Sequence, residues 1–192
     1  MRARLMLAGL LALTFSAAAT AENPVVLIKT EKGDITVEVD LARAPVTAAN
    51  FLRYVDGKLY HGSVFHRTVT LANQPKDAVR IEVIQGGQLA EEIEFPPIAH
   101  ETTATTGLKH LDGTISMARG MPGSATSSFF FCINAQPELD FGGKRNPDGQ
   151  GFAAFGQVIG GMDVVKAIHL LPAEGQTLKP PVKIISVLRI ER

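Results

Sequence analysis

The sequence predicts a mainly β domain, a closed eight-stranded antiparallel barrel capped by two α-helices. Three observations indicate this fold class. About eight short apolar runs are separated by turn-forming residues, only two stretches have helical spacing, and strands and helices do not alternate as in βαβ units. A closed barrel is favoured for so many short strands because closure removes the exposed edges of the sheet.

The first half of the chain supplies four strands and one helix. Residues 35–39 alternate between apolar and polar side chains, which is typical of a half-buried strand paired in a hairpin. Pro45 suits the first turn of a helix and Gly57 suits its end, so a helix is predicted over 45–56. The predicted strands are 25–29, 35–39, 64–69 and 81–85, with a polar stretch at 70–80 between the last two.

The second half supplies the other four strands and the second helix. Apolar residues at helical spacing predict a helix over 162–170, which ends before Pro172. Residues 88–112 contain two adjacent prolines and few strand signals, so we expect them to be mostly loop. The predicted strands lie within 113–119 and 124–134, and at 152–158 and 183–190.

Three consecutive phenylalanines mark the strand within 124–134. Because side chains alternate along a strand, Phe130 faces away from Phe129 and Phe131. If Phe129 and Phe131 enter the core, the Phe130 ring lies on the opposite face, beside small residues and an arginine. This arrangement predicts the floor of an apolar pocket. The alternative interpretation is two ordinary core strands of a β domain.

The first 21 residues have the organisation of a secretory signal peptide. Two arginines precede an apolar run at 5–15 that is shorter than the roughly 20 residues of a membrane span. Ala19-Thr20-Ala21 then forms an A-x-A-like cleavage site. We therefore expect a signal peptide at 1–21, one domain at 22–192, and a periplasmic or fully secreted protein.

Charge and cysteine content exclude several classes of protein. Two of the 19 basic residues lie in the leader, so 17 remain against 19 acidic ones. This balance argues against general nucleic-acid or membrane-surface binding, and no membrane association is expected after the leader is removed. The single cysteine, Cys132, cannot form an intramolecular disulfide and lies in an apolar strand, which predicts a buried, inert thiol.

Motifs of several common catalytic sites are missing from the sequence. Residues 123–127 lack the G-x-S-x-G order of a serine hydrolase, and no histidine or aspartate partner is singled out. Neither zinc nor calcium spacing is found, and no phosphate-binding loop is present. Arg67 remains, with Gln85 and Phe130 as candidate neighbours across a barrel face. A solvated strand residue or a surface ion pair is the alternative for Arg67, and these residues alone favour it.

Six motifs, in their order along the chain, resemble those of the cyclophilins, which are peptidyl-prolyl cis-trans isomerases. The resemblance runs from about Val25 to the C-terminus and, with the leader, suggests a secreted or periplasmic bacterial member. The motifs are Phe65-His66-Arg67, Gln85-Gly86-Gly87, Gly113 to Arg119, Ser127 to Phe131, Leu139-Asp140, and Phe155-Gly156-Gln157-Val158 with Gly161 to Val165.

The resemblance implies a substrate groove on the outer surface of the barrel and assigns residues to it. The catalytic arginine of the family falls on Arg67, its substrate-contacting glutamine on Gln85, and its pocket phenylalanine on Phe130. Ala118 and Arg119 match the loop where the substrate backbone pairs. The full set of implied substrate-binding positions is His66, Val83, Gln85, Ala118, Arg119, Phe130, Leu139 and Phe152.

Departures from the family pattern concern the same groove. Residues 70–80 are inserted between the FHR motif and the glutamine. Glu82 aligns with a pocket phenylalanine, Glu138 with an aromatic residue, Ser128 with a glutamine, and Phe152 with a histidine or tyrosine. We therefore expect the proline pocket to have lost part of its apolar wall.

The predicted function is isomerisation of X–Pro bonds in exported proteins, which assists their folding and needs neither a cofactor nor a metal ion. The expected partners are proline-containing polypeptides, and a monomer is expected. The alternative is a proline-peptide-binding chaperone or scaffold with weak or no turnover. Glu82 and Glu138 are the features that favour the alternative.

Overall fold

The computed structural model describes residues 22–191, so the predicted signal peptide at 1–21 lies outside the described residues. Helices are α1 (Pro45–Asp56), α2 (Thr103–Thr106) and α3 (Met162–His169), and short 3-10 turns occur at Glu91–Ile93 and Pro137–Leu139. The strands are β1 (Val25–Thr30), β2 (Gly33–Val39), β3 (Val64–Val69), β4 (Val83–Gly86), β5 (Thr114–Met117), β6 (Phe129–Cys132), β7 (Ala153–Gly160), β8 (Ala173–Glu174) and β9 (Thr177–Ile190).

Eight of these strands form a closed antiparallel barrel, as predicted. Their order around the barrel is β1-β2-β7-β5-β6-β4-β3-β9, and β9 pairs with β1 to close the ring. The two-residue strand β8 was not predicted and pairs with the first residues of β9. Strand β9 begins at Thr177 rather than 183, because its early residues pair with β8 and β3 despite two adjacent prolines.

The two predicted helices are present, and their apolar faces join the core of the barrel. Helix α1 has the predicted bounds and contributes Phe51 and Val55, and α3 contributes Val165 and Ile168. Helix α2 is a single turn, too short to produce a helical pattern in the sequence. Within residues 22–191, no helix has the length and apolarity needed to cross a membrane.

The barrel interior is filled by aromatic rings that pack edge-on and tilted. Phe51 lies 5.5 Å from both Tyr60 and Phe129, and 5.1 Å from Phe155, between ring centroids. All four side chains are fully buried. Truncating such a ring to alanine typically costs about 3–5 kcal/mol, so this cluster is a major source of stability.

A second, smaller apolar cluster lies on the outer face of β3, β4 and β6. It contains Phe130, whereas Phe129 and Phe131 belong to the interior core, which confirms the alternation inferred for the three phenylalanines. The buried members of this outer cluster are Val69, Ile81, Val83, Phe130, Cys132 and Leu139, with Ala118 and Phe152 packed against them.

The N-terminus of α1 is capped by a residue far away in the sequence. Ala44, at the N-cap position, has no side-chain acceptor, and Pro45 has no N–H. The Glu101 carboxylate accepts hydrogen bonds from the backbone N–H groups of Val46 (3.1 Å) and Thr47 (2.7 Å). A carboxylate at this position also interacts favourably with the helix dipole. The cap therefore ties the long 88–112 connection to the barrel.

We predict that Glu101→Ala lowers the free energy of unfolding by about 1–2 kcal/mol, the usual effect of removing a helix N-cap. Glu101→Gln keeps one acceptor oxygen and should lose less. Urea unfolding of both variants measures the effect, and Glu91→Ala, at an exposed position in the same connection, is the control. Equal stability of wild type and Glu101→Ala would contradict the capping role.

Candidate active site

A depression of about 110 Å³ lies on the outer face of the barrel, above the outer cluster. It brings together eight of the nine site positions implied by the resemblance. Its lining residues are Arg67, Ile81, Val83, Gln85, Ala118, Arg119, Phe130, Leu139 and Phe152. Ile81 was missed by motif comparison, although its alternation with Val83 and Gln85 is a signal that would have identified it.

Strand register places the central residues of the depression in one row. Arg67 of β3 is paired with Gln85 of β4, and Gln85 is paired with Phe130 of β6. Directly paired residues of adjacent antiparallel strands have Cβ atoms about 4.5–5.5 Å apart on the same face. A cation, an amide and an aromatic ring are therefore neighbours because of the backbone pairing.

His66, which the resemblance implies is a substrate-binding residue, does not line the depression. It is the extra residue in a bulge between Phe65 and Arg67, which are paired with the consecutive residues Gly86 and Gln85. Without the bulge, Arg67 would share the inward face of Phe65, two residues before it. The contribution of His66 is thus to turn Arg67 outward. Burial, and then the charge of Arg67, lower the pKa of His66.

The Arg67 guanidinium is held by two neutral amides. Its Nη1 donates to Gln85 Oε1 (2.8 Å), and its Nε (3.0 Å) and Nη2 both donate to Gln176 Oε1. Arginine has five N–H donors, so these bonds leave one on Nη1 and one on Nη2 without a partner among the described residues. The guanidinium is therefore oriented by the protein and retains two donors at its tip.

The electrostatic surroundings leave the guanidinium as a partly buried cation. Burial, and then the nearby charge of Arg145, lower the pKa of Arg67, while Asp77 acts in the opposite direction. An arginine pKa lies so far above neutrality that the group stays charged. Asp77 is itself paired with Arg145 (3.0 Å) rather than with Arg67. No carboxylate within 22–191 therefore neutralises the charge of Arg67 by direct contact.

Gln85 is itself oriented by a hydroxyl group. Its Nε2 donates to Ser128 Oγ (3.0 Å), and this oxygen donates in turn to the backbone carbonyl of Gly86 (3.3 Å). With Nε2 committed to Ser128, Oε1 of the same amide faces Arg67. Ser128, which departs from the family pattern, thus takes part in the network that holds Arg67.

The floor and walls of the depression are apolar, contrary to the expectation of a lost wall. The Phe130 and Phe152 rings pack edge-to-face, with centroids 5.3 Å apart. Neither Glu82 nor Glu138 lines the depression: the Glu82 carboxylate accepts from Asn134 Nδ2 (3.1 Å) and that of Glu138 from the backbone N–H of Lys144 (2.8 Å). Glu82 aligns with a pocket phenylalanine of the family, but the wall does not depend on that position. Ile81 and Val83, on either side of Glu82, supply the apolar wall.

A buried polar network supports the Phe130 ring. The His110 imidazole stacks on it, with centroids 6.0 Å apart and planes 11° from parallel. Its Nδ1 lies 2.8 Å from Asp140 Oδ1, and its Nε2 lies 3.0 Å from Ser116 Oγ. Burial lowers the pKa of His110 although Asp140 opposes this effect, so the imidazole is neutral at neutral pH. Nδ1–H then donates to the carboxylate, and the hydroxyl of Ser116 donates to Nε2.

Ser116, His110 and Asp140 have the connectivity of a hydrolase triad, which sequence reasoning did not find. The serine is fully buried, and it is paired with Phe130 across the sheet rather than exposed at an opening. A nucleophile must reach its substrate, and this hydroxyl does not. The network therefore orients an aromatic ring and does not support hydrolysis.

The Arg119 side chain is not available to bind substrate, although Arg119 lines the depression. The side chain is 1% exposed, and its guanidinium pairs with both carboxylate oxygens of Asp148 (2.8 and 2.9 Å). It also donates to the carbonyls of Gly120 and Gly151 and lies 5.3 Å above the Phe152 ring centroid. All five donors are used internally, so Arg119 anchors the loop before β7 and shapes the wall at Phe152.

The described residues contain no group of three or more His, Cys, Asp or Glu side chains placed to hold a metal ion. Cys132 is fully buried in the outer cluster, and burial raises the pKa of its thiol well above the usual range. The chemistry available at the depression is therefore that of an apolar surface beside an oriented cationic donor.

Comparison with known proteins agrees with this geometry. A family profile described as "Cyclophilin type peptidyl-prolyl cis-trans isomerase/CLD" matches residues 25–189. The chain belongs to the cyclophilin family. It is therefore a cyclophilin-type peptidyl-prolyl cis-trans isomerase. A relative named "Peptidyl-prolyl cis-trans isomerase" from Acinetobacter baylyi is 38% identical over 196 residues, covering 97% of this chain and 94% of the relative.

Two further comparisons concern a bacterial relative and a solved structure. "Peptidyl-prolyl cis-trans isomerase B" of Escherichia coli K12 is 34% identical over 148 residues, which cover 74% of this chain and 82% of that protein. The crystal structure of a Cryptosporidium parvum cyclophilin-type isomerase superposes with a TM-score of 0.70, covering 88% of this chain and 99% of the other at 20% identity. The structural match shows that the cyclophilin barrel is shared.

The Arg119–Asp148 pair generates a pH-dependent stability prediction. Hydrogen bonding from Arg119 is the main reason why the pKa of Asp148 is lowered to about 2. Because the pKa is lower in the folded state, ionised Asp148 stabilises the fold above its unfolded pKa near 4, and this contribution is lost as the pH falls through about 2.

We expect the difference in free energy of unfolding between wild type and Asp148→Asn to be constant at pH 5–7. It should shrink between pH 4 and pH 2, as wild-type Asp148 becomes protonated. Urea unfolding at closely spaced pH values measures this difference. A difference that stays constant down to pH 2 would contradict the assignment.

Proposed function

We propose that the depression binds the proline ring of X–Pro segments in exported proteins, and that Arg67 catalyses rotation about the X–Pro bond. The observation that carries this proposal is the Arg67 guanidinium, which presents two unused donors beside an apolar surface formed by Phe130 and Phe152. An apolar surface suits the ring, and an oriented cation suits the polar amide next to it.

The reaction needs no covalent intermediate. Rotation about a peptide bond has a barrier of roughly 18–20 kcal/mol because resonance gives the C–N bond partial double-bond character. Uncatalysed exchange of X–Pro bonds takes on the order of tens to hundreds of seconds. When the amide twists, conjugation is lost and the proline nitrogen regains a lone pair. A donor aimed at that nitrogen stabilises the twisted state more than either planar isomer, which is the condition for catalysis.

Each part of the depression has a role in this proposal. Phe130, Phe152 and the aliphatic wall hold the ring while the acyl side of the bond turns. Gln85 holds Arg67 by accepting from Nη1, so the donors left at the tip face the bound amide. The main chain of Ala118 and Arg119 pairs with the substrate backbone. The arrangement involves neither a cofactor nor a metal ion.

Proline-containing polypeptides are the proposed substrates. A structural relative from Cryptosporidium parvum was crystallised in the presence of the dipeptide Ala-Pro, and it superposes on this chain with a TM-score of 0.69. This supports an X–Pro segment as the ligand proposed for the depression. We propose that the protein acts as a monomer.

The structure removes the features that favoured the chaperone or scaffold alternative. That alternative rested on Glu82 and Glu138 as polar intrusions into the pocket wall, and both carboxylates hydrogen-bond to groups outside the depression. With an apolar floor and an oriented Arg67, the site retains what turnover requires. The alternative predicts that the wild-type protein binds proline-containing peptides without isomerising them.

We predict that Arg67→Ala lowers kcat/KM for a proline-containing peptide by about 10²–10³-fold, the usual effect of removing a charge-stabilising donor. Arg67→Lys keeps the charge without the rigid fork and should recover only part of the rate. An isomerisation assay measures the rates, and a parallel binding measurement should show a much smaller change in peptide affinity.

Arg43→Ala is the matched control, because Arg43 is an arginine paired with Asp40 outside the depression. Its rate should equal that of wild type. Peptide binding with no turnover by the wild-type protein would favour the chaperone alternative. Equal rates for wild type and Arg67→Ala would exclude Arg67 as the catalytic donor.

Export is the second part of the proposal and depends on residues 1–21. Two arginines, an apolar run and Ala19-Thr20-Ala21 support a signal peptide cleaved after Ala21. After export, the mature domain would be in the same compartment as other exported chains while they fold. Periplasmic localisation is proposed, with full secretion as its alternative.

We predict that the full chain, expressed in a Gram-negative host, is recovered from the periplasm with Glu22 as its N-terminal residue. N-terminal sequencing of the fractionated protein checks this. A variant with Ala19→Leu and Ala21→Leu should retain the leader, because large residues do not fit an A-x-A site. Recovery of the uncleaved wild-type chain from the cytoplasm would contradict the export proposal.

A further inference from the structure

The β8–β9 hairpin reaches the catalytic row from the side opposite Gln85. Its two-residue turn is Gly175-Gln176, where Gly175 has a φ of +60° that glycine tolerates well. Thr177, the first residue of β9, is paired with Arg67. Gln176 therefore lies directly beside the arginine, at a position that none of the recognised motifs covers.

Gln176 makes the larger share of the contacts that orient Arg67. Its Oε1 accepts from two nitrogens of the guanidinium, Nε at 3.0 Å and Nη2, whereas Gln85 accepts from Nη1 alone. Two bonds to one acceptor on the Nε edge define the plane of the guanidinium. The third bond, at Nη1, fixes its rotation in that plane, so the two amides together set the direction of the unused donors.

The inserted segment 70–80 holds the hairpin in place. Asn73 Nδ2 donates to the backbone carbonyls of Thr68 in β3 and Gly175 in the turn, both at 3.0 Å. The backbone N–H of Thr68 donates to the carbonyl of Gln176 (2.9 Å). The Gln176 amide also has a longer contact from Nε2 to the carbonyl of Asn73 (3.5 Å), which is consistent with Oε1 facing Arg67.

The neutrality of Gln176 matters as much as its position. A carboxylate here would form a stronger, charge-assisted pair with the guanidinium, but it would also cancel much of the positive charge that a twisted amide requires. An amide orients the cation and leaves its charge intact. Gln85 is likewise neutral, so both contacts to Arg67 come from uncharged acceptors.

We propose that Gln176 is a positioning residue for the isomerisation, and that Asn73 of the 70–80 insertion holds it against Arg67. The proposal rests on the proposed function of Arg67. It assigns a role to the insertion and to the hairpin, which the family motifs leave unexplained.

The test uses Gln176→Ala and Gln176→Glu, with Glu174→Ala as the control in the same hairpin. The Glu174 side chain is 81% exposed, and among residues 22–191 it makes only a long contact with Lys179 (3.8 Å). Gln176→Ala should lower kcat for a proline peptide by about tenfold, with KM changed less than twofold. Gln176→Glu should lower kcat at least as much while its unfolding midpoint stays equal to or above that of wild type. Glu174→Ala should match wild type.

The stable but slow Gln176→Glu protein is the result that a purely structural role would not produce. Asn73→Ala should lower kcat by a smaller factor, and the double variant Asn73→Ala/Gln176→Ala should be no slower than Gln176→Ala alone, because both act through one chain of contacts. Wild-type kcat in both Gln176 variants would overturn the proposal.

A direct readout of the guanidinium separates positioning from loss of fold. In the ¹⁵N-edited NMR spectrum, the Nε–H of Arg67, assigned by its loss in Arg67→Ala, should exchange slowly with water in wild type and faster in Gln176→Ala. Equal exchange in the two proteins would overturn the proposal even if the variant were less stable. If Arg67→Ala isomerised the peptide as fast as wild type, the proposed function of Arg67 would be wrong, and the role of Gln176 with it.

If Arg67→Ala were impaired while both Gln176 variants kept the wild-type kcat, only the positioning role of Gln176 would be wrong.

Discussion

The hydrogen bonding of one guanidinium is the constraint on which the site depends. Arg67 is partly buried on a barrel wall, and no carboxylate of the described part of the chain contacts it, which is an unusual environment for a cation. Its stability there requires acceptors that leave the charge in place, and Gln85 and Gln176 supply them. Ser128 and Asn73 then orient those two amides, so a polar network on the outside of the barrel serves a single side chain.

The backbone places this network where an apolar surface is available. The bulge at His66 turns Arg67 to the face that carries Phe130, and antiparallel register sets Gln85 between them. On the other side of Phe130, the neutral His110 imidazole stacks against the ring and is held by Asp140. The pocket ring and the cation are therefore both positioned by buried or half-buried hydrogen bonds rather than by packing alone.

Loops complete the depression through specific polar contacts. Arg119 uses all its donors to hold Asp148 and the loop ending at Gly151, and its guanidinium lies over Phe152. The Asp77–Arg145 pair links the inserted segment 70–80 to the same loop. Ser128 and the inserted segment 70–80, which depart from the cyclophilin pattern, thus support the site, while the apolar floor is preserved.

The sequence by itself determined the fold class, the bounds of α1, the alternation of the three phenylalanines and the family. These follow from local periodicity and from motifs that are contiguous in the chain. It also pointed to Arg67, Gln85 and Phe130, but only through the resemblance, because periodicity alone does not say which strands become neighbours.

Only the tertiary structure decided where the remaining side chains point. Sequence comparison placed Glu82 and Glu138 in the pocket wall and did not reveal the bulge at His66, because alignment assigns positions but not directions. A bulge of one residue reverses the face of a strand, and a hydrogen bond to a distant loop turns a carboxylate away. The contact between Gln176 and Arg67 spans 109 residues of chain, a separation at which no local pattern predicts a neighbour.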